Sequence, residues 1–312
     1  MGSEAPKTQD GTYRRGRFAP SPSGPLHLGS LYTAVASFLD ARHQGGEWLL
    51  RIEDVDGTRT RPGAESAILS TLEAFGLEWD GPILRQSERT EAYEAALARL
   101  RAQGRLYACR CSRSDLTRAG ASEHGAYPGY CRDLHLESTA LPDTPVALRF
   151  RRVPAHASVR IDDRLQGVFE EAVDRSVGDF ILKRRDGFVS YQLAVVVDDA
   201  HQGITDVVRG RDLLDNTPRQ RLLQEALGLP TPTTLHVPLI LEGKDKLSKS
   251  HQALPADPAR APELLSRILQ LLAIPMPKEL QHAAVHRQLE AAIELWNPER
   301  LRGVIDISYD LL

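Results

Sequence analysis

Apolar and polar positions along the chain switch between a strand period and a helix period. Residues 13–19 carry the short extended pattern of a strand and run into a Pro/Gly-rich turn, Pro20-Ser21-Pro22-Ser23-Gly24-Pro25. An apolar helical pattern follows from Leu28 to about Arg42. Residues 48–53 read as a second strand, ending in the acidic turn Glu53-Asp54-Val55-Asp56-Gly57, and helical patterns recur at 64–75 and 91–103. Strand, phosphate-sized turn, helix, strand, helix predicts a parallel α/β unit. The pattern breaks at Cys109. From 109 to 186 come the cysteines, many arginines and short alternating runs such as 146–151, which reads as an insertion between two halves of one sheet. The α/β pattern returns with 189–199, a strand at 204–209, a helix at 218–227 and a strand at 236–241. A loop spans 242–250. From Pro258 the chain reads as helical, with apolar spacing at Leu264, Leu265, Ile268, Leu271 and Leu272. The predicted organisation is a loose tail (1–12), a first α/β half (13–108), an insertion (109–186), a second half (187–241) and a loop with a helical C-terminal part (242–312).

Composition narrows the class. The chain has 312 residues, 41% of them hydrophobic and 26% charged, an ordinary globular balance. No apolar run approaches the ~18 residues a membrane span needs, and the opening MGSEAPKTQDGTYRRGR lacks the apolar core of a secretory signal. A net charge of −3 argues against a wholesale nucleic-acid coat but leaves room for a local basic face. The basic stretches 105–118, Arg149-Phe150-Arg151-Arg152 and Lys183-Arg184-Arg185 would supply such a face jointly; singly each reads as a solvated charged surface. Three cysteines, two of them as Cys109-Arg110-Cys111, point to a metal site in a reducing cytoplasm rather than a disulfide framework. With Cys131 they make three thiolates suited to a tetrahedral structural Zn²⁺.

Two motifs carry the chemistry. In Arg17-Phe18-Ala19-Pro20-Ser21-Pro22-Ser23-Gly24-Pro25-Leu26-His27-Leu28-Gly29, prolines stiffen the turn and glycines let a backbone approach a ligand. His27 stands near a helix start, where free N–H groups and the helix dipole favour a phosphate. Taken alone, this is equally a tight strand-to-helix turn with an exposed histidine. In Gly243-Lys244-Asp245-Lys246-Leu247-Ser248-Lys249-Ser250, lysines and serines bracket one leucine on a loop able to close over a triphosphate. A lone lysine cluster of this kind is more often a solvated loop.

Together the two change the reading. His27-Leu28-Gly29-Ser30 resembles the HIGH signature of class I aminoacyl-tRNA synthetases, departing from it at Ser30, and Lys246-Leu247-Ser248-Lys249-Ser250 resembles their KMSKS signature. Residues 17–29, Arg51-Ile52-Glu53-Asp54-Val55-Asp56, 191–199 and 204–211 resemble glutamyl-tRNA synthetases, so that the likeness covers most of 14–250. The resemblance implies a Rossmann-type catalytic domain with ATP, accompanied by Mg²⁺, across the carboxyl ends of the strands. It places Arg17, Phe18, Ala19, Pro20, Ser21, Glu53, Tyr191 and Arg209 around L-glutamate. It places His27, Gly29, Lys246 and Lys249 at ATP, with His27 and Lys249 as the catalytic pair. Two guanidiniums suit two carboxylates through forked hydrogen bonds, and Glu53 suits the ammonium; which arginine takes which carboxylate stays open. Arg51 and Asp54 are expected to be structural, in an ion pair.

Only about sixty residues follow Ser250, too few for the anticodon-reading domains of full glutamyl-tRNA synthetases. With Cys-x-Cys followed by Tyr127-Pro128-Gly129-Tyr130-Cys131, the chain is similar to the family of glutamyl-queuosine tRNA(Asp) synthetases. That likeness implies glutamate transfer to the queuosine base of tRNA(Asp), activation without tRNA, and Tyr127 as the fourth zinc ligand. General ligand chemistry favours His124 instead. A shortened glutamyl-tRNA synthetase charging tRNA(Glu) and a non-catalytic tRNA-binding paralogue are the alternatives. A monomer is expected.

Overall fold

The computed structural model describes residues 13–118, 126–134, 145–153, 157–242, 245–246 and 255–308. In chain order the elements are β1 (Arg15–Phe18), α1 (Leu28–His43), β2 (Glu47–Ile52), α2 (Ala64–Ala74), β3 (Leu84–Arg85), α3 (Thr90–Ala102), β4 (Leu106–Cys109) and α4 (Arg113–Arg118). Then come β5 (Ala147–Phe150), β6 (Val159–Asp163), β7 (Gly167–Glu171), α5 (Val173–Ser176), β8 (Ile181–Lys183), α6 (Tyr191–His201), β9 (Asp206–Gly210) and α7 (Thr217–Leu227). The last are β10 (Thr233–Val237), β11 (Leu239–Glu242), β12 (Asp245–Lys246), α8 (Ala261–Leu271), α9 (Val285–Leu295) and β13 (Asp306–Ser308).

Parallel strands β3, β2 and β1 form one ribbon, and β9 and β10 run parallel in another. The two ribbons meet where Thr205 N donates to Arg15 O at 3.0 Å and Arg15 N donates to Thr205 Oγ1 at 2.8 Å. The spatial order is therefore β3-β2-β1-β9-β10. The order reverses between β1 and β9, the place where open α/β sheets bind ligands at their carboxyl ends. Strand β6 adds beside β10 in parallel, and its hairpin partner β7 closes that edge antiparallel.

Helix α1 explains how this sheet is covered. Leu31, Tyr32, Ala34, Val35, Ala36, Phe38, Leu39 and Ala41 are all buried, so the helix is apolar on nearly every side. It packs on β1 and β9 with one side and on α8 and α9 with another. Its one buried carboxylate, Asp40, is met by both terminal nitrogens of Arg164 at 2.7 and 2.9 Å and by Trp296 Nε1 at 3.0 Å. That joins the central helix to the β6–β7 hairpin and to the C-terminal helices. Of the predicted apolar positions, Leu265, Ile268 and Leu271 of α8 and Leu272 just past its end are buried, and Leu264 is half-buried. Helices α3, α6 and α7 build a second core with the antiparallel sheet β4-β5-β8. Asp198, fully buried on α6, ties that helix to α3 and the turn before it by accepting from Gln86 Nε2 (2.9 Å), Arg89 Nε (3.1 Å) and Tyr93 Oη (2.7 Å).

Two sequence expectations need correction. The strand expected at 236–241 is two strands in two sheets, β10 and β11, divided at Pro238. Proline has no N–H for the ladder, so the chain leaves one sheet there and joins β12 and β13 in another. The Arg149-Phe150-Arg151-Arg152 stretch is not a face of free cations. Phe150 is in the core, and buried Arg149 donates from Nη1 to Asp179 O at 2.8 Å.

Candidate active site

The expected glutamate residues converge at the switch point. Arg17 is at the end of β1, buried, and its Nε lies 3.3 Å from Asp199 Oδ1. Arg51, wholly buried on β2, donates from Nη1 to the same Oδ1 and to Gln202 Oε1, both at 2.8 Å, and its Nη2 is 3.5 Å from Glu53 Oε1. Arg51 is thus a structural cation, as expected, but its pair is with Asp199 and Glu53. Asp54 instead accepts from Ser87 N at 2.8 Å and Ser87 Oγ at 2.6 Å. The reason is alternation along the chain as it leaves β2: 51 and 53, two positions apart, share a side, and 54 points away from it. Glu53 is held in place by its own N–H, which donates to Pro20 O at 2.9 Å.

These charges set each other's protonation. Burial pushes the Glu53 carboxyl above the usual range, with Arg51 and Arg17 acting against it. Burial would raise Asp199 too, but Arg51 and Arg17 outweigh it and hold that carboxyl below its ordinary value. Tyr191 opens α6, and burial raises its phenol despite Arg209. Beyond their mutual 3.5 Å contact, Oε1 of Glu53 and Nη2 of Arg51 are buried with no hydrogen-bond partner among the described residues. Such groups are costly unless a ligand or water completes them.

Arg209, near the end of β9, is already engaged. Its Nε donates to His236 Nε2 at 2.9 Å, its Nη2 donates to Thr217 Oγ1 and Gln220 Oε1, each at 2.9 Å, and its Nη1 lies 3.3 Å from Tyr191 Oη. Arg17 has only the one bond to Asp199 among the described residues, so its two Nη atoms are the pair that suits a forked carboxylate contact. Among the turn residues, the Phe18 ring is in the core, stacked 6.3 Å from Trp48, which leaves its backbone for a ligand. Ala19 and Pro20 are half-buried and Ser21 is exposed.

The end expected to meet the nucleotide centres on His27. It caps α1, its Nδ1 accepting from Ser30 N at 3.2 Å, and its Nε2 lies 3.0 Å from Ser30 Oγ. A Cβ at Gly29 would stand 3.2–3.3 Å from the His27 ring, so glycine lets the imidazole fold over the helix start. The first turn carries no acidic residue, leaving the positive end of the dipole unopposed. The chain returning from the lysine loop pairs Pro255 with His27, and Ala256 N donates to Leu26 O at 2.9 Å. Lys246 sits on β12 opposite Leu241. Lys249 lies outside the described residues.

A third cluster holds the cysteines. Sγ of Cys109, Cys111 and Cys131 lie within 4.8 Å of one another, with Cys111 and Cys131 3.5 Å apart. Tyr127 Oη is 3.5 Å from both Cys109 Sγ and Cys111 Sγ, and accepts from Cys131 N at 2.8 Å. A tetrahedral zinc with three sulfurs and one oxygen would need S···S near ~3.8 Å and S···O near ~3.5 Å. The donor set therefore fits that ion. Burial pushes the Cys111 thiol up to about 11, the environment a bound cation would reverse. The knob is locked from outside: Arg149 lies 3.8 Å over the Tyr127 ring, and Tyr127 bridges Gly178. Any Cβ at Gly178 (φ +60°) would fall 2.7 Å from Tyr127 O. His124 lies outside the described residues.

Comparison with known proteins gives the family. Residues 15–281 match the family described as tRNA synthetases class I (E and Q), catalytic domain. The chain is 52% identical over 287 residues to the glutamyl-Q tRNA(Asp) synthetase of Ectopseudomonas mendocina, covering 92% of this chain and 94% of the relative. It is 53% identical over 290 residues to that of Thiobacillus denitrificans, with the same coverage. The chain belongs to the glutamyl-Q tRNA(Asp) synthetase family. Among solved structures, a glutamate-tRNA synthetase from Elizabethkingia anophelis superposes with TM-score 0.78 at 26% identity, over 96% of this chain and 69% of that one. A glutamate tRNA ligase from Elizabethkingia meningosepticum, in complex with its amino acid, does so equally well, over 96% and 67%. The class I catalytic fold is thus established, and among the described residues no helix is long and apolar enough to cross a membrane.

For a chain of this family the sequence reading missed the residues that hold the arginines: Asp199 and Gln202 on one side, His236, Thr217 and Gln220 on the other. Asp198-Asp199 did carry a signal, two acids ending an apolar helical run, on a helix whose face is buried. His236, inside a strand, carried none.

Proposed function

We propose that this chain activates glutamate with ATP as glutamyl-adenylate, without needing tRNA, and passes the glutamyl group to the queuosine base in the anticodon loop of tRNA(Asp). The observation that carries the amino-acid choice is the cluster of Arg17, Glu53, Tyr191 and Arg209 at the switch point. Glutamate brings two carboxylates and one ammonium. Arg17 offers two Nη atoms that meet no partner among the described residues, Arg209 offers Nη1 beside Tyr191 Oη, and Glu53 offers Oε1, which has only the 3.5 Å contact to Arg51 Nη2. An incoming ammonium at Glu53 would relieve the burial that disfavours its charge.

The reaction needs no protein nucleophile. The substrate α-carboxylate attacks the α-phosphorus of ATP and pyrophosphate leaves. His27 and the free N–H groups of α1 stabilise charge on the phosphates, and the charge of Lys249 offsets that of the leaving pyrophosphate. Mg²⁺, generic to class I synthetases, supplies further neutralisation when it accompanies ATP. A hydroxyl of the queuosine ring then attacks the activated carbonyl and AMP departs. One zinc, held by Cys109, Cys111, Cys131 and Tyr127, organises the knob and takes no part in the chemistry.

The relatives favour this acceptor over a 3′ terminal ribose: identity is 52% to a protein named glutamyl-Q tRNA(Asp) synthetase and 26% to a glutamate-tRNA synthetase. The test is charging of an isolated queuosine-containing anticodon stem-loop with its 3′ end blocked. Radiolabelled glutamate should enter that fragment and not the same fragment carrying guanosine. Labelling only of intact tRNA(Glu) at its 3′ end would establish a shortened glutamyl-tRNA synthetase instead.

A further inference from the structure

Arg209 does not hold its own position. Behind it stand two buried residues, Asp163 at the end of β6 and His236 on β10, both with fully buried side chains. Asp163 is the better anchored. Its Oδ1 accepts three main-chain N–H bonds, from Leu165 (3.1 Å), Gln166 (2.9 Å) and His236 (3.1 Å). Its Oδ2 faces His236 Nδ1 at 2.6 Å. The carboxyl is held down at about 2: burial alone would raise it, and the bonds from His236 and these N–H groups outweigh that. An ionised carboxylate only accepts, so Nδ1 of His236 carries the proton. Burial lowers the imidazole pKa, so the ring is neutral and Nε2 keeps its lone pair. Nε2 then accepts from Arg209 Nε at 2.9 Å.

We propose that Asp163 and His236 form a positioning relay: Asp163 selects the histidine tautomer, and that tautomer sets the Arg209 guanidinium so that Nη1 faces the substrate carboxylate. The proposal rests on the reading of Arg209 as a glutamate-binding residue. The relay explains the choice of histidine. A guanidinium donates from every nitrogen, so whatever orients it must accept at one point, and an acidic partner there would quench the charge meant for the substrate. A neutral imidazole accepts without adding a charge. Thr217 and Gln220 accept from Nη2 on the same edge, again without charge. The guanidinium is gripped along Nε and Nη2, and only Nη1 is left toward Tyr191.

The relay predicts a sharp effect from a nearly isosteric change. In Asp163→Asn the three backbone N–H groups keep the side-chain oxygen at the Oδ1 place, and the amide NH₂ must face His236. Nδ1 must then accept, and the ring proton moves to Nε2, where it meets the N–H of Arg209. Two donors facing each other would turn the guanidinium away. This is the tautomer logic of the aspartate in serine-protease triads, applied to a binding residue.

The test combines three variants with two readouts. Nitrogen-15 NMR of histidine-labelled protein reads the tautomer of His236 directly. The KM for glutamate and for ATP, from ATP–pyrophosphate exchange, reads the consequence. The wild type should show protonated Nδ1, and Asp163→Asn protonated Nε2. In Asp163→Asn the glutamate KM should rise roughly tenfold to a hundredfold, the loss of one charged hydrogen bond, with the ATP KM unchanged. His236→Gln puts a carbonyl oxygen near the place of Nε2 and has no tautomer to flip. Its glutamate KM should rise less than that of Asp163→Asn, and adding it to Asp163→Asn should recover most of the loss. A purely structural role would lower stability in every variant, move both KM values together and allow no recovery. Protonated Nε2 in the wild type, an unchanged glutamate KM in a tautomer-flipped Asp163→Asn, or a double variant no better than Asp163→Asn would each overturn the relay. A wild type with no glutamate-dependent exchange would refute the substrate reading instead, and the NMR arm would still decide the relay.

Discussion

Asp199 sits between two arginines, and its removal should show how far the site depends on it. In Asp199→Asn an amide oxygen can still accept at the Oδ1 place, but Arg51 loses the countercharge there and keeps only the 3.5 Å contact to Glu53 as an ion pair, with its guanidinium still wholly out of water. Removing one partner of a buried pair costs about 3–5 kcal/mol, because the other charge stays buried and uncompensated. Arg51→Met should cost a similar amount by orphaning the acids. The two losses should not add. Once Arg51 is gone, the Asp199 charge has lost its closest partner, so the double variant should fall short of the sum by about 2 kcal/mol or more. Urea denaturation of the four proteins measures this, provided the slope m is constant across the set. The sign with pH follows from the depressed Asp199 pKa. Its stabilisation is complete above the unfolded carboxylate pKa and is lost as pH falls through the folded value. Asp199→Asn should therefore show a flatter acid limb than the wild type. Arg17 loses the same countercharge in this variant, so the glutamate KM should rise as well. A loss under about 1 kcal/mol, or losses additive within about 0.5 kcal/mol, would refute the claim that the charges act as one unit.

Three further outcomes follow from the site. Lys249→Ala should leave glutamate binding nearly intact and slow adenylate formation by about 10²–10³-fold, on the scale of one preorganised donor; an unchanged exchange rate removes the lysine from the chemistry. Metal analysis should find one zinc per chain, lost or weakened in Tyr127→Phe and kept in His124→Ala, and the reverse pattern makes His124 the fourth ligand. Because Glu53 has a raised pKa, its ionisation opposes folding as pH rises from the unfolded toward the folded value. Glu53→Gln should therefore gain stability relative to the wild type in that range while losing glutamate activation, and equal denaturation midpoints at all pH values would show that Glu53 carries no such strain.

Much of the catalytic half could be read from local pattern because its determinants are local. The turn from Pro20 to Pro25, the helix from Leu28 and the period change at Trp48 are each set by residues within a few positions of one another, and the elements fall within two or three residues of the expected ends. The cysteine cluster was legible for a similar reason, since thiolates at short spacing have few structural uses. The strand at 236–241 was misread because an apolar run does not reveal which sheet it joins, although Pro238 marked the break.

By itself the sequence determined which chemical groups are present and where along the chain the phosphate-sized turn, the lysine loop and the thiolates lie. Side-chain type and short-range geometry suffice for that. Only the tertiary structure decided what each charge is for. Arg17, Arg51 and Arg209 are the same residue type on strands of similar pattern, and nothing within their own neighbourhoods separates them. Arg51 is consumed by Asp199, 148 positions away, and by Gln202, 151 positions away. Arg209 is turned by His236, which is set by Asp163 from across 73 positions. Arg17 alone keeps both terminal nitrogens for a ligand among the described residues. A buried charge takes its role from the partners that replace its water, and those partners are brought together by the sheet order, which the chain acquires only on folding.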